Sequence, residues 1–251
     1  MKGDRAALTE AALDLCRATA CSLAPDVLAA LRRAHESERD PRTRRVLGLA
    51  LRNAEAAAAE SLPLCEDRGT PVFFLAVSDD LGEEARTLLS AVRRAARHAL
   101  AGGYLGGPAR LVLESGASGG ARLGVLVQGR ACRGVARCST LVEGEGEEGV
   151  ARRVLAAVRG ARERLCPPLV LGVGLGQSRS EARLAALKAL TAPLDDPPSP
   201  MEARLLRALR SGCPDLPLLG LRVRGQWPAR AVAIEFLCQS ARRREASLPL
   251  A

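Results

Sequence analysis

Apolar positions recur at helical intervals along the first sixty residues. From Ala6 to Ala20, the residues Ala7, Leu8, Ala11, Ala12 and Leu15 fall on one stripe, the spacing that buries a helix face. A second helix is predicted over Pro25 to Ser37. A third runs from Arg42 to Glu60, with Val46, Leu49, Ala50, Asn53 and Ala57 at the same interval. Beyond residue 62 the texture changes. Val72 to Val77 is a short β-favouring apolar run, which predicts a buried strand. Asp79 and Asp80 stand as N-caps before a helical pattern from Glu83 to Leu100, closed by Gly102-Gly103. Two apolar runs, Leu111 to Leu113 and Leu123 to Val127, flank the glycine-rich stretch Ser115 to Gly120 and read as a hairpin. A helix over Glu147 to Leu165, a strand over Leu169 to Val173 and a helix over Ser180 to Leu190 follow. The loop Asp195 to Pro200 opens a last helix, Met201 to Arg210, ahead of strands at Leu218 to Val223 and Ala231 to Phe236. No internal repeat stands out. The fold class is therefore mixed α/β: an N-terminal helical region (1–62), then an α/β region with a mixed sheet (63–251), read as one continuous domain.

A 47% apolar fraction in 251 residues can fill a core of that kind. The net charge of +9 raises a basic nucleic-acid-binding module as a remote alternative. All but two of the 37 basic residues are arginine, however, and acidic residues are interleaved with them almost everywhere. With three Phe, one Tyr and one Trp there is little to stack bases on, so the charge reads as a solvated surface and nucleic acid is not the expected partner. No apolar run reaches the roughly 18–20 residues of a membrane span. The opening Met1-Lys2-Gly3-Asp4-Arg5 leads into an amphipathic stretch and not into a signal-peptide core. The expected location is the cytoplasm, where eight cysteines mean metal binding or plain burial rather than a disulfide framework.

Cys16 and Cys21 lie within the first helical region and read as small buried hydrophobes. Cys132 and Cys138 lack the C-x-x-C spacing of a zinc site, and only His35 and His98 could complete one. Cys213 lies in a loop without companions. Cys65, Cys166 and Cys238 each sit at the edge between a loop and a strand. Position alone leaves two accounts open for them: thiolates converging on a metal, or three unrelated cysteines.

Three segments carry a family resemblance. Leu62-Pro63-Leu64-Cys65-Glu66-Asp67-Arg68-Gly69-Thr70 resembles the Pro–aliphatic–Cys–Gln–Asp–Thr–Gly signature of class I fumarate hydratases and tartrate dehydratases. Cys166-Pro167-Pro168, followed by Gly172-Val173-Gly174-Leu175-Gly176, is similar to their second signature. Cys238-Gln239-Ser240-Ala241-Arg242-Arg243-Arg244-Glu245 is similar to their third, and Arg52-Asn53-Ala54 resembles the helix that carries a family asparagine. The resemblance implies the α subunit of a two-subunit iron–sulfur hydro-lyase. It implies that Cys65, Cys166 and Cys238 hold a 4Fe–4S cluster whose fourth iron has no protein ligand and acts as a Lewis acid. Region 63–251 would then be the cluster-binding region. The implied reaction is reversible hydration of a small hydroxy-dicarboxylic acid, with Asp67 in the pocket, Arg242 as a carboxylate partner and a β subunit completing the site.

Several family positions are replaced. The polar Lys–Gly–Gly–Gly–Ser–Glu–Asn stretch falls near Gln128 to Gly134 and is lost, and an expected arginine is Gly106. A histidine ahead of the third cysteine is Gln226; those of the third signature are Gln239 and Arg243, and the threonine of the first is Arg68. These positions recognise dicarboxylates and handle protons in the family. One consequence is a pocket shifted to another hydroxy acid, with Arg68, Arg130 or Arg243 taking over charge pairing. The other is a catalytically degenerate member that keeps its cluster or fold for assembly or sensing. Gly172 to Gly176 does not match a dinucleotide fingerprint and is read as a tight turn that lets backbone approach the cluster or substrate.

Overall fold

The computed structural model describes residues 5–78, 82, 84–115 and 120–249. The expected caps Asp79 and Asp80 lie outside the described residues, as does 116–119 of the glycine-rich stretch. The fold is mixed α/β, as the pattern predicted. Contacts group it into two compact units that interleave along the sequence: Met1–Ala24, Ala54–Gly129 and Arg242–Ala251 form the first, Pro25–Asn53 and Arg130–Ala241 the second.

In the first unit, helix α1 (Arg5–Cys21) and helix α4 (Glu84–Ala101) pack on one face of a four-stranded sheet. Its strands are β1 (Thr70–Val77), β2 (Arg110–Glu114), β3 (Ala121–Gln128) and β8 (Arg243–Leu248), in the order β2-β1-β3-β8. Phe73, Leu75 and Val77 of β1 and Leu123, Val125 and Val127 of β3 point to that face. There they meet Leu8, Ala12 and Leu15 of α1 and Leu88, Ala91, Val92 and Ala95 of α4 in a closed apolar core. The expected hairpin is corrected here. β2 and β3 flank β1 instead of pairing with each other, β2 running parallel to it and β3 antiparallel. Chain reversal across α4 brings β2 back in the direction of β1, and a period-2 pattern predicts a strand without predicting its neighbour.

In the second unit, β4 (Arg137–Thr140), β5 (Leu169–Gly176), β6 (Leu218–Arg224) and β7 (Ala231–Leu237) form a sheet in the order β4-β7-β5-β6. Its helices include α2 (Pro25–Ser37), the short α5 (Arg130–Val135), α6 (Gly146–Ala161), α7 (Arg179–Ala189) and α8 (Pro200–Gly212). Leu169, Leu171, Val173 and Leu175 of β5 face Val150, Val154 and Val158 of α6 and Leu205 and Leu209 of α8. The alternate positions Gly172, Gly174 and Gly176 face α7. A Cβ on Gly174 would run into the carbonyl of Ala182 and the backbone of Ala186, and one on Gly172 into the carbonyl of Ala186. The glycine run is therefore the interior of a strand and not the expected tight turn. It is a flat track on which a helix backbone rests directly.

Caps set the helix starts. Ser199 and Glu202 form a reciprocal capping box at α8 with Pro200 in its first turn, and the Ser178 side chain accepts from the Glu181 N–H at α7. The helix α3 (Pro41–Glu60) begins where Asp40 accepts from the Thr43 N–H at 2.7 Å. The same Glu202 anchors α8 to β6, accepting from the Val223 N–H at 2.8 Å and pairing with buried Arg222 at 3.4 Å.

The chain traces one path twice. β1, a helix, parallel β2 and then antiparallel β3 on the other side of β1 is matched by β5, helices, parallel β6 and antiparallel β7 on the other side of β5. The next strand in each run joins the opposite sheet: β4 pairs with β7, and β8 pairs with β3.

Candidate active site

The segment with the first signature leaves α3 through Ser61, whose φ of 54° turns the chain, and is tied to α1 by the Leu64 N–H donating to the Ala20 carbonyl at 2.9 Å. Half-buried Cys65 and Asp67 lie in it. The Gly69 N–H donates to Asp67 Oδ1 at 3.0 Å and fixes the carboxylate. Gly69 itself, at φ 66°, is held between two backbones. Its carbonyl accepts from the Gly106 N–H at 2.9 Å, and a Cβ on it would lie 2.7 Å from the Gln128 carbonyl oxygen.

Arg242 lies immediately ahead of β8, where its carbonyl accepts from the Val127 N–H at 2.9 Å. Only 2% of it is exposed, and it is the largest fully buried side chain among the described residues. Its Nε and Nη1 are buried without a hydrogen-bond acceptor, while the residue keeps other polar interactions. Asp67 and Arg242 converge at Gly129. A Cβ built there would stand 3.0 Å from Asp67 Oδ2 and 3.9 Å from Arg242 Nη2. The two residues expected at the substrate, 175 positions apart in sequence, thus share one corner of the first unit. Gly129 was not singled out by the sequence, and its signal there is only a glycine directly after a buried strand ending in Gln128.

In the second unit, Cys166 and Cys238 lie at the same end of the sheet, because β5 starts and antiparallel β7 finishes there. The Gln239 N–H donates to the Cys166 carbonyl at 3.0 Å, which joins the second and third signatures through backbone. Cys238 Sγ lies 3.6 Å from the Ser240 hydroxyl. Cys166 is exposed, whereas Cys65 and Cys238 are half-buried, and none of the eight cysteines is in a disulfide. Among the described residues, no group of three or more His, Cys, Asp or Glu side chains stands together as a metal site.

Cys16 and Cys21 are buried, as expected of packing residues, and the remaining cysteines, Cys132, Cys138 and Cys213, lie apart from the three signatures. Cys16 is buried in the first core, and burial pushes its thiol up to about 12. Burial also raises the Cys21 thiol, against the pull of the nearby Arg68 charge. Cys132 and Cys213 belong to the core of the second unit. Cys138 donates to the Arg179 carbonyl at 3.5 Å. Of the replaced family positions, Gln226 is exposed in the turn between β6 and β7, and Asn53, which resembles the family asparagine, is exposed on α3.

A family model described as fumarate hydratase (fumerase) matches residues 9–249. The chain belongs to this family. No curated protein matches it. Fumerase-family members are hydro-lyases acting on small dicarboxylates, and the match spans all three cysteine segments. Among the described residues no helix is long and apolar enough to cross a membrane.

Proposed function

We propose that this chain is the α subunit of an iron–sulfur hydro-lyase, reversibly hydrating a small hydroxy-dicarboxylic acid in the cytoplasm, with a β subunit completing its site. The observation that carries the reading is the meeting of Asp67 and Arg242 at Gly129, since both residues come from separate signatures. Cys65, Cys166 and Cys238 are the proposed ligands of a 4Fe–4S cluster. Their chemistry suits it: three thiols at loop edges, each reachable from solvent, two of them joined through the Cys166–Gln239 backbone bond. When bound, such a cluster supplies an open iron that polarises a substrate hydroxyl or carboxylate.

The residues of the chain do the rest. The buried Arg242 guanidinium offers a fixed cation to a substrate carboxylate, in a place where water competes poorly. Asp67, oriented through Oδ1 by the Gly69 N–H, presents Oδ2 toward the same corner, where it can hold a proton or accept one from a substrate hydroxyl. Gly129 keeps that corner open.

Anaerobic reconstitution followed by iron and sulfide analysis tests the ligand set. Wild-type protein is expected to hold four irons, and Cys65→Ala to lose most of them; unchanged iron in the variant would overturn the assignment. A degenerate, non-catalytic member is the second reading, favoured by Gly106, where a side chain has no room, and by exposed Gln226. Turnover of fumarate or malate by the chain with its β subunit would exclude it.

A further inference from the structure

We propose that the groove between α4 and the outer edge of β2, within the first unit, docks an acidic extended segment of a partner protein, which pairs with β2 as a further strand of that sheet.

β2 ends its sheet and is hydrogen-bonded to β1 alone, so among the described residues its outer backbone groups face no strand. Such an edge is a template for another extended chain. It is also thinly covered on the helix-bearing side. Leu111 and Leu113 stand opposite Phe73 and Leu75 in register, and so point to the face that carries α4. Leu75 is fully buried there, whereas Leu111 is half-buried and Leu113 is 50% exposed.

The wall beside these leucines is cationic. A pocket of about 260 Å³ is enclosed by Val92, Arg93 and Ala96 of α4, by Ala109 and Leu111 at the start of β2, and by Phe73. A second of about 340 Å³ shares Arg93 and is lined by Arg86, Leu89, Ser90 and Arg97. The three arginines are exposed, and among the described residues none is in an ion pair. Arg93 and Arg97 lie one turn apart on the same helix face, where like charges weaken a helix slightly. The nearby acids are turned elsewhere. Glu84 is in the first turn of α4, at the far end from Arg97, and Glu114 stands opposite Ala76 in register, on the other face of the sheet.

These features together select the occupant. The open strand edge asks for extended polypeptide, and the arginines ask that it carry carboxylates. Glutamates on its helix-facing side lay their methylenes along Leu111 and Leu113 and bring their charge to Arg93 and Arg97. A nucleic acid would use the arginines and leave both the leucines and the strand edge idle.

The test uses the full chain and a fluorescein-labelled peptide of alternating glutamate and valine, followed by fluorescence anisotropy and hydrogen exchange. The peptide is expected to bind saturably, more weakly as salt rises, and to slow amide exchange within residues 110–114. Methylating its alternate backbone nitrogens removes strand pairing and keeps every side chain; affinity should fall by about tenfold. The double variant Arg93→Glu, Arg97→Glu changes only exposed positions, so its circular dichroism should match the wild type. It should bind the peptide about tenfold more weakly, and a lysine–valine peptide more tightly than the wild type does. Absence of binding, equal affinity of the methylated peptide, equal affinity of the double variant, or protection confined to another strand would each overturn the proposal. Two further results would reassign the surface and overturn it as well. One is tighter binding of duplex DNA that the double variant loses; the other is sedimentation showing a dimer of this chain that the double variant loses.

Discussion

The two sheets share one topology and are held by opposite packing. The central strand of the first, Thr70–Val77, carries Phe73, Leu75 and Val77 into side chains of α1 and α4. The central strand of the second, Leu169–Gly176, sends leucines and valines to one face only. On the other it presents glycines, so that α7 rests on backbone, with Ala182 and Ala186 packed beside Ala231 and Ala233 of β7. One sheet is stabilised by the bulk of its side chains and the other by their absence. Equal topology thus says little about which substitutions a sheet tolerates.

The sharpest way to break this comparison is Gly174→Val. The atoms in the way are helix backbone, which cannot swing aside. The cost is expected to exceed the ~1–3 kcal/mol of ordinary overpacking and to abolish cooperative unfolding of the second unit, read by circular dichroism in urea. Near-wild-type stability would mean that α7 is not seated on the strand. Phe73→Ala does the reverse in the first unit. It leaves a cavity and should cost about 3–5 kcal/mol by denaturant titration, whereas Gly124→Ala, with its nearest neighbour at 3.5 Å, should be mild.

A smaller difference lies in the crossovers. β1 reaches β2 through one helix, while β5 reaches β6 through two, the second of which depends on its capping box. Ser199→Ala should cost about 1 kcal/mol, and hydrogen exchange should rise in α8 before α7. The least effect belongs to Glu145, ahead of α6. The Arg153 side chain first, and then the Val142 N–H, lower its carboxyl from 4.5 to about 2. The lowered value means that the stabilisation is complete above pH 4.5 and is lost as pH falls toward 2. Melting curves of wild-type protein and Glu145→Gln should therefore differ at pH 6 and merge near pH 2.

Much of this architecture is legible in the sequence because burial in helices leaves a period. The predicted helix Pro25 to Ser37 matches α2, and the predictions for α1, α3, α4 and α7 lie within a residue of the observed bounds. β8 was missed for a physical reason. Arg243-Arg244-Glu245-Ala246-Ser247-Leu248 carries no alternating apolar signal, and it becomes a strand because β3 offers a pairing edge and because Arg244 Nη2 can donate to Ser22 Oγ and the Leu23 carbonyl, each at 2.8 Å. The glycine run was misread because glycine signals a turn and close packing alike, and only the facing helix tells them apart. At the candidate site, Asp67 and Arg242 could be named from their motifs. Their meeting at Gly129 could not, since it depends on β8 returning to the sheet of β1.

The exchange of closing strands has a consequence for synthesis on the ribosome. Once β1, β2 and β3 have emerged, the outer edge of β3 stays without its neighbour until residues 243–248 follow, more than a hundred residues later. Throughout that interval the nascent chain exposes an apolar, hydrogen-bond-hungry border that any passing extended segment could occupy. A slow codon tract or a stalled ribosome between β4 and β7 would prolong that exposure, so the yield of native protein depends on how promptly residues 243–248 are made.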